Sequence, residues 1–197
     1  HNNFFPIYLR LSKESQCFFD VGAHIGIVTL AVSKNIKKNG TVFAFEPSKV
    51  NLKFLRYHIS CNKLKNIRVV DKLVSSSEDT ESIFFESKEA SGMNSVISLN
   101  NKDINQKKVI RSTTLDVFCK SNNIYPDIIK VDIEGSEIEM LIGAKKIVKK
   151  HKPLIFLSYH PYHIKKLGYQ NSSIFDILTK LNYKIYDLDG KEPLALK

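Results

Sequence analysis

The stretch Cys17-Phe18-Phe19-Asp20-Val21-Gly22-Ala23-His24-Ile25-Gly26 is a short apolar run that ends in an acid and opens into a glycine-containing turn. An amphipathic segment continues from Ile25 to Lys38, so the pattern predicts a buried strand, a tight turn and a helix. Glycines at 22 and 26 let the backbone turn sharply, and the N-terminus of the helix presents unpaired N–H groups at the same place. This corner suits a nucleotide-like cofactor.

A second predicted strand, Thr41–Phe45, ends at Glu46-Pro47 and completes a β-α-β unit. Glu46 follows Asp20 by 26 residues, close to the spacing of about 20 at which a carboxylate binds ribose hydroxyls in nucleotide-binding folds. Because Pro47 fixes the backbone at this bend, we expect Glu46 to bind a ligand rather than to cap a helix. The loop and the acid together indicate a ribose-bearing ligand.

The rest of the chain alternates between predicted strands and helices. In chain order they are a lead-in helix or loop over 1–16, a helix from Ser48 to about Asn62, strand Ile67–Val70, a helix from Thr113 to about Asn122, strand Ile128–Val131, helix Ile138–Lys149, strand Pro153–Leu157, helix Ser172–Leu181, and a terminal pair of strands, Lys184–Leu188 and Pro193–Leu196. Between them, residues 72–111 predict either a hairpin inserted on the ligand side or a surface meander. The alternation predicts a single α/β domain over 1–197, with a doubly wound, mostly parallel sheet and helices on both faces.

Composition narrows the class of protein. Of the 197 residues, 43% are hydrophobic and 25% charged, as expected for a globular domain. The sequence contains neither the run of roughly 18 apolar residues that a membrane span needs nor a signal-like start, so we expect a cytoplasmic protein without a membrane span. Three widely spaced cysteines, Cys17, Cys61 and Cys119, favour buried, reduced thiols over disulfides or a zinc cluster. We expect no metal ligands.

The formal net charge of +10 raises the possibility of a nucleic-acid partner, because basic surfaces attract phosphates. Arginine occurs only at positions 10, 56, 68 and 111, whereas bidentate recognition of phosphates and bases favours arginine over lysine. A solvated lysine surface is therefore favoured over a dedicated nucleic-acid face. A basic module that binds RNA or another anionic surface stays as the alternative.

Ligands of open parallel sheets bind beyond the C-terminal ends of the strands. The polar residues at the predicted strand ends therefore form the set of candidate site residues. They are Asp20 with residues 22–26, Glu46, residues 72–75, Asp132 with Glu134, and residues 158–160. Because acids after a strand also stabilise the start of the next helix, a binding role and a capping role both stay open for Glu134.

Four motifs in this order carry a family resemblance. They are Asp-Val-Gly-Ala-His-Ile-Gly at 20–26, Phe-Glu-Pro at 45–47 with Asn51, Thr-Leu-Asp at 114–116, and Lys-Val-Asp-Ile-Glu-Gly-Ser-Glu at 130–137. Together they resemble the FkbM family of S-adenosylmethionine-dependent methyltransferases over residues 17 to about 161. The resemblance implies a Rossmann-like class I methyltransferase fold with strand order 3-2-1-4-5-7-6. It also implies O-methylation of a hydroxyl on a sugar, a glycan or a natural-product-like small molecule.

The resemblance also implies a role for single residues. The cofactor-binding residues would be Asp20, Gly22, Ala23, His24 and Gly26 for the methionine moiety, Glu46 with Pro47 for the ribose, Leu73 for the adenine, and Asp132 for the amine or the transferred methyl. The product would be S-adenosylhomocysteine. A nicotinamide cofactor is disfavoured because the middle glycine of G-x-G-x-x-G is absent.

Methyl transfer to an alcohol needs an aligned nucleophile and a base. The candidate bases are Asp132, Glu134 and His160. His160 has the usual pKa range of a base, although a histidine at a strand end is more often structural or solvated. Asn94, Ser95 and Ser158 are the candidates for contact with the acceptor, although relatives often carry glutamate where this chain has Ser158. An RNA methyltransferase with the same fold is a further alternative.

Overall fold

A computed structural model describes residues 5–96, 106–187 and 189–191. In chain order its helices and strands are α1 (Phe5–Ser12), β1 (Cys17–Val21), α2 (Ile27–Asn35), β2 (Thr41–Phe45), α3 (Lys49–Cys61), β3 (Ile67–Val70), β4 (Leu73–Val74), β5 (Glu81–Glu86), β6 (Gln106–Thr113), α4 (Leu115–Asn122), β7 (Ile128–Val131), α5 (Glu137–Gly143), α6 (Lys145–His151), β8 (Leu154–Leu157), α7 (Pro161–Lys166) and α8 (Ser173–Lys180). The lead-in segment thus contains one helix, α1, in its described part, and residues 13–16 connect that helix to β1.

In the described part of the chain, the central sheet has five parallel strands in the order β3-β2-β1-β7-β8. The register places Val21 opposite both Phe45 and Val131, and Val131 opposite Leu157. Because parallel strands in this register end together, the residues that follow them emerge at one edge of the sheet. These residues are Gly22, Glu46, Asp132 and Ser158.

The strand β1 is the centre of the core because both of its faces are covered by helices. All five of its residues are buried, which is typical of a parallel sheet packed on both sides. Phe19 packs edge-on against Phe43 and Phe118 on one face, whereas Phe18 packs with Leu52 and Leu55 on the other. The α/β fold with helices on both faces is confirmed.

A smaller sheet, in the order β4-β6-β5, lies beside the carboxyl ends of the main strands. Its strands β5 and β6 are antiparallel, and residues 87–105 connect them. Phe85 forms an isolated bridge with Ser95 in this connection. The segment over 72–111 therefore contains antiparallel hairpin strands rather than a meander on the surface.

The predicted helix Ile138–Lys149 is wrong as a single helix, because α5 and α6 are separated at Ala144 (φ −108°, ψ 2°). The carboxylate of Asp116 in α4 accepts hydrogen bonds from the backbone N–H of Lys146 (3.0 Å) and Ile147 (2.8 Å). A side chain about 30 residues away thus caps the start of α6. The local sequence pattern does not predict this second helix start.

The strand count also differs from the expected seven. Residues 184–187 form no strand, so the prediction for Lys184–Leu188 is wrong over those positions. Leu188 and the predicted strand Pro193–Leu196 lie outside the described residues. Along the chain, β7 and β8 are the fourth and fifth strands of the main sheet. The observed order β3-β2-β1-β7-β8 therefore corresponds to the first five positions, 3-2-1-4-5, of the predicted order.

The cysteines and the lengths of the helices can also be compared with the predictions. Cys61 is exposed, whereas Cys17 and Cys119 are buried, so the prediction of buried thiols is wrong for Cys61. None of the helices in the described ranges is both long and apolar enough to cross a membrane.

Candidate active site

A cleft lies at the carboxyl edge of the main sheet, between the strand ends and the connection of the hairpin. The predicted site residues that line it are Gly22, His24, Glu46, Pro47, Leu73, Asn94, Ser95, Asp132 and Glu134. An adjoining cavity of about 340 Å³ shares Gly22, His24, Asp132 and Glu134 with it and adds Ala23 and Lys130. Most of the predicted residues are thereby brought together in one continuous site.

The first wall is the glycine loop, residues 20–26. Gly22 has φ +80°, and a Cβ atom there would lie 2.0 Å from the carbonyl oxygen of Asp132, so the loop packs directly against the end of β7. Lys130 Nζ donates a hydrogen bond to the carbonyl oxygen of Gly22 (2.7 Å) and lies 2.9 Å from Asp20 Oδ1. Thr29 donates to Asp20 Oδ2 (2.5 Å). Asp20 is fully buried, and its carboxylate lies beneath the loop instead of lining the cleft.

His24 is the residue of the loop that brings a side chain to the cleft. Its N–H donates to Glu46 Oε2 (2.8 Å), and its Nε2 is buried with no hydrogen-bond partner among the described residues. Burial and then the charge of Lys130 lower the pKa of His24 from 6.5, against an opposing effect of Asp132. The imidazole is therefore neutral near pH 7.

Gly26 lies away from the cleft and has a packing role. It is the N-cap of α2 with φ +98°, and a Cβ atom there would lie 2.6 Å from the Cδ1 atoms of Leu30 and Leu55. Its glycine identity therefore lets α2 and α3 approach each other closely.

Glu46 occupies the base of the cleft and is only 4% exposed. Its Oε1 accepts hydrogen bonds from Ser48 N–H (2.9 Å) and Asn51 Nδ2 (3.3 Å), and its Oε2 accepts one from His24 N–H (2.8 Å). A carboxylate has about four acceptor positions, so one position on Oε2 stays open for a ligand. Burial raises the pKa of Glu46, and the three hydrogen bonds and the charge of Lys130 oppose that shift.

The hairpin connection forms the opposite wall and is tied to α3. Asn51 Nδ2 donates to Ser91 O (3.0 Å), and Ser91 N–H donates to Asn51 Oδ1 (3.1 Å). Asn94 Oδ1 accepts from Ser87 N–H (2.9 Å), while Asn94 Nδ2 is buried without a hydrogen-bond partner in the described part of the chain. Ser95 Oγ donates to Glu134 O (3.2 Å) and so joins this wall to β7.

The ends of β7 and β8 carry an acid–histidine cluster, which we define as Asp132, Glu134, Glu137, His160 and His163. His160 Nε2 lies 3.6 Å from Asp132 Oδ1 and 3.7 Å from Glu134 Oε2. The other ring nitrogen of His160, Nδ1, lies 2.8 Å from Glu137 Oε1. The three predicted catalytic residues are therefore neighbours, although they come from two different strand ends.

The sequence of this chain matches a known protein family. The sequence profile described as the methyltransferase FkbM domain matches residues 20–185. The chain belongs to the FkbM methyltransferase domain family. No curated protein among those compared with this FkbM chain matches it significantly.

Solved structures agree with the fold of this FkbM chain. An FkbM methyltransferase from Methylobacillus flagellatus KT is similar with a TM-score of 0.54 and 22% identity, over 86% of this chain and 37% of the other. A precorrin-6y C5,15-methyltransferase from Geobacter metallireducens GS-15 has a TM-score of 0.51 and 14% identity, over 90% of this chain and 69% of the other. The chain thus spans little more than a third of the length of the Methylobacillus protein, and at these identities the likeness concerns the fold.

The electrostatics of the acid–histidine cluster are shaped by its own members. Burial lowers the pKa of His160, but the hydrogen bond and charge of Glu137, followed by Glu134 and Asp132, outweigh burial and raise it above 6.5. Burial is also the largest cause of the raised pKa of Glu134, which His160 opposes and Asp132 reinforces. Glu134 additionally has a left-handed backbone (φ +50°), a conformation that costs non-glycine residues free energy.

Ser158 is placed differently from the other predicted residues. It is half-buried, and its N–H donates to Val131 O (2.9 Å) as the sheet ladder continues. It lies at the correct edge but does not line either cavity described above.

Sequence reasoning gave no role to Lys130, Glu137 or His163. A lysine inside an apolar strand is a usable signal, because a buried ammonium requires a partner. Glu137 and His163 are revealed by contacts between elements: His163 Nδ1 lies 3.2 Å from Glu134 Oε2. Pro161 could have predicted the start of α7, since proline favours the first turn of a helix. A helix starting there places His160 and His163 on the same face, because residues three apart are neighbours on a helix.

Proposed function

We propose that the chain is an S-adenosylmethionine-dependent methyltransferase that methylates a hydroxyl of a sugar, a glycan or a natural-product-like small molecule. The observation that carries the proposal is the FkbM match over residues 20–185, which includes every site residue discussed above. A cytoplasmic location belongs to the same proposal, and the free thiols of Cys17, Cys61 and Cys119 are consistent with a reducing compartment.

The chain offers partners for each part of the cofactor. Bound S-adenosylmethionine supplies an electrophilic methyl group on a sulfonium sulfur. We assign the ribose hydroxyls to the open acceptor position of Glu46, beside Pro47, and the adenine to the surface near Leu73. The close backbone approach at Gly22, together with Ala23, forms the cradle for the methionine moiety. Two buried nitrogens that lack partners in the described residues, His24 Nε2 and Asn94 Nδ2, are available to the same ligand.

Asp20 and Gly26 take supporting roles in this proposal. Asp20 holds Lys130, and Lys130 holds the carbonyl oxygen of Gly22. Gly26 sets the distance between α2 and α3. Asp20 therefore shapes the glycine loop without a side-chain contact to the cofactor, and Gly26 shapes it through the packing of α2 on α3.

The acceptor is proposed to bind against the end of β7. Asp132, Glu134 and His160 are the groups that activate its hydroxyl, because they are neighbours, partly exposed and able to accept a hydrogen bond or a proton. Asn94 and Ser95 on the hairpin side and Ser158 after β8 are proposed to orient the rest of the acceptor. Alignment of hydroxyl and methyl donor would contribute most of the rate, as in other reactions that depend on positioning.

Calorimetry with S-adenosylhomocysteine tests the proposal directly. We expect a single site that Glu46→Ala weakens at least tenfold, because removal of a hydrogen bond to a charged group costs about 1.5–3 kcal/mol. Glu81→Ala, an exposed glutamate on β5, is the matched control and should bind normally. Absence of heat with both the product and S-adenosylmethionine would overturn the proposal.

A second candidate function rests on the lysine surface. Helix α6 exposes Lys145, Lys146, Lys149 and Lys150, which lie on one side of the helix because residues three and four apart are neighbours. An RNA-binding module or an RNA methyltransferase would use such a face. Gel-shift titrations over a range of salt concentrations discriminate, because binding through phosphates weakens steeply as salt rises.

A further inference from the structure

We propose that Asp132, Glu134 and His160 bind a divalent cation of the Mn²⁺ and Mg²⁺ class at the acceptor end of the cleft. One ligand atom from each residue lies within 4.8 Å of the others. The two carboxylate oxygens suit both Mg²⁺ and Mn²⁺, and the imidazole nitrogen favours the transition metal Mn²⁺ of the two. The sequence alone gave no reason to expect a metal, because the three ligands come together only when β7 and β8 pair.

The separations between these atoms favour a cation over direct hydrogen bonds. His160 Nε2 is 3.6 Å from Asp132 Oδ1 and 3.7 Å from Glu134 Oε2, and both distances exceed those of protein hydrogen bonds. Adjacent ligands of an octahedral ion with bonds of about 2.1 Å are about 3 Å apart. Small side-chain rotations would therefore close the three ligands around an ion.

The orientation of His160 is the second observation. Its Nδ1 lies 2.8 Å from Glu137 Oε1, which also accepts a hydrogen bond from Gly135 N–H at 3.0 Å. When Nδ1 carries the proton of the neutral ring, the lone pair of Nε2 is directed towards Asp132 and Glu134. A buried carboxylate that orients the far nitrogen of a histidine is the usual outer support of a metal-ligating imidazole.

Charge balance points in the same direction. Glu137 is fully buried, and its Oε2 has no hydrogen-bond partner in the described residues. Across those residues, the ion-pair contacts of Glu134 and Glu137 involve His160 and His163 and no lysine or arginine. The acid–histidine cluster contains three carboxylates and two imidazoles, so the carboxylates outnumber the rings that could balance them, and a divalent cation would offset the excess negative charge.

The site is also open enough for a substrate. The side chains of Asp132, Glu134 and His160 are 17%, 18% and 19% exposed, and three protein ligands leave positions free, as in catalytic rather than structural metal sites. The catalytic consequence rests on the proposed function. An acceptor hydroxyl bound at a free position would lose its proton to water more readily, because a divalent cation stabilises the alkoxide. The alkoxide oxygen would then form a bond to the methyl carbon while the bond from that carbon to the sulfonium sulfur breaks, which leaves S-adenosylhomocysteine as the thioether product. The acceptors favoured are therefore those with a hydroxyl that can coordinate metal, such as a sugar diol.

The test is a Mn²⁺ titration of the full chain after removal of metals with a chelator, followed by electron paramagnetic resonance of the free ion. We expect one Mn²⁺ bound per chain. Glu134→Gln and His160→Gln should each weaken binding at least tenfold, and Glu137→Gln should weaken it about 10- to 100-fold through the orientation of His160. Asp176→Asn, an exposed carboxylate on α8, is the matched control and should bind Mn²⁺ like the unaltered chain.

Two outcomes would overturn the cation site: no stoichiometric Mn²⁺ binding, or binding that survives both Glu134→Gln and His160→Gln unchanged. Thermal unfolding of each variant shows whether it is folded. S-adenosylhomocysteine binding, measured in the presence of chelator, separates the two proposals. Product binding without Mn²⁺ binding removes only the cation site, whereas Mn²⁺ binding without product binding removes only the proposed cofactor role.

Discussion

The two halves of the cleft are built in different ways. On the β1–β2 side, Glu46 and the glycine loop are fixed by backbone groups: Ser48 N–H and His24 N–H hold the carboxylate, and Gly22 lies against the backbone of Asp132. On the β7–β8 side, the acid–histidine cluster consists of side chains that contact other side chains at 2.8–3.7 Å. One half is a backbone scaffold and the other is an adjustable set of titratable groups.

This difference predicts in which half of the cleft a substitution should change stability and in which half it should change mainly activity. Backbone contacts and buried pairs on the β1–β2 side serve the fold and the proposed cofactor site together, so changes there should affect both. The acid–histidine cluster carries a free-energy cost, since Glu134 has φ +50° and a pKa raised by burial. Changes there should affect activity much more than stability.

The largest effect on stability is expected for Lys130→Met. This change leaves Asp20, which is fully buried, without its cation, and breaking a buried pair in this way costs about 3–5 kcal/mol. Chemical denaturation would measure the loss. The double variant Asp20→Asn/Lys130→Met should recover much of it, because no uncompensated charge then remains. A double variant as unstable as Lys130→Met would show that the packing of the lysine, not its charge, is what matters.

Gly22→Ala should follow, with a loss of about 2–5 kcal/mol. A left-handed residue with a Cβ atom costs about 1–2 kcal/mol, and the overlap with Asp132 O at 2.0 Å adds about 1–3 kcal/mol of overpacking. Gly168→Ala is the matched control, because Gly168 has φ +85° but nothing within 4 Å of its Cβ position. Equal losses in the two variants would contradict the close approach of the glycine loop to β7.

An effect on affinity rather than on folding is expected at Glu46. A carboxylate accepts hydrogen bonds from ribose hydroxyls better than a protonated carboxyl group does, because protonation replaces one acceptor position by a donor. Binding should therefore favour the ionised form of Glu46. Since the pKa of Glu46 is raised from 4.5, S-adenosylhomocysteine affinity should fall as the pH drops through that raised value, at a pH where an ordinary glutamate is still ionised. Calorimetry between about pH 5 and 8 would show this slope. Glu46→Gln should bind weakly and flatten the slope, and a similar slope in that variant would assign the titration to another group.

The smallest effect on stability is expected for Glu134→Gln, within about 1 kcal/mol, because the amide keeps the shape and removes a charge that burial disfavours. Methyl transfer should nevertheless fall about 100-fold or more, the usual range for loss of an acid–base or metal-binding group. Thermal unfolding and a radiolabelled methyl-transfer assay would measure the two. A variant that lost stability and activity together would place Glu134 with the scaffold half and break the contrast.

The sequence predicted the scaffold half best because its signals are local. The bounds of β2, β3 and β7 were correct, since apolar runs bounded by turn residues mark buried strands. The position of Glu46 at the cleft could be predicted because this residue directly follows the second strand of the β-α-β unit. Its partners Ser48 and Asn51 lie within five residues of it.

The other half depends on contacts between distant segments. Glu137 and His160 are 23 residues apart and become partners only through the pairing of β7 and β8. The break between α5 and α6 has the same kind of cause, because Asp116 supplies the cap from another helix. Such contacts follow from tertiary packing, which one sequence does not encode in a readable local pattern.

The contact of Gly22 with the carbonyl oxygen of Asp132 has a mechanical consequence. It leaves no room for a side chain at position 22. The loop proposed to hold the methyl donor therefore lies directly against the strand end proposed to face the acceptor. The absence of a Cβ atom at Gly22 therefore sets how closely the two proposed binding regions approach each other.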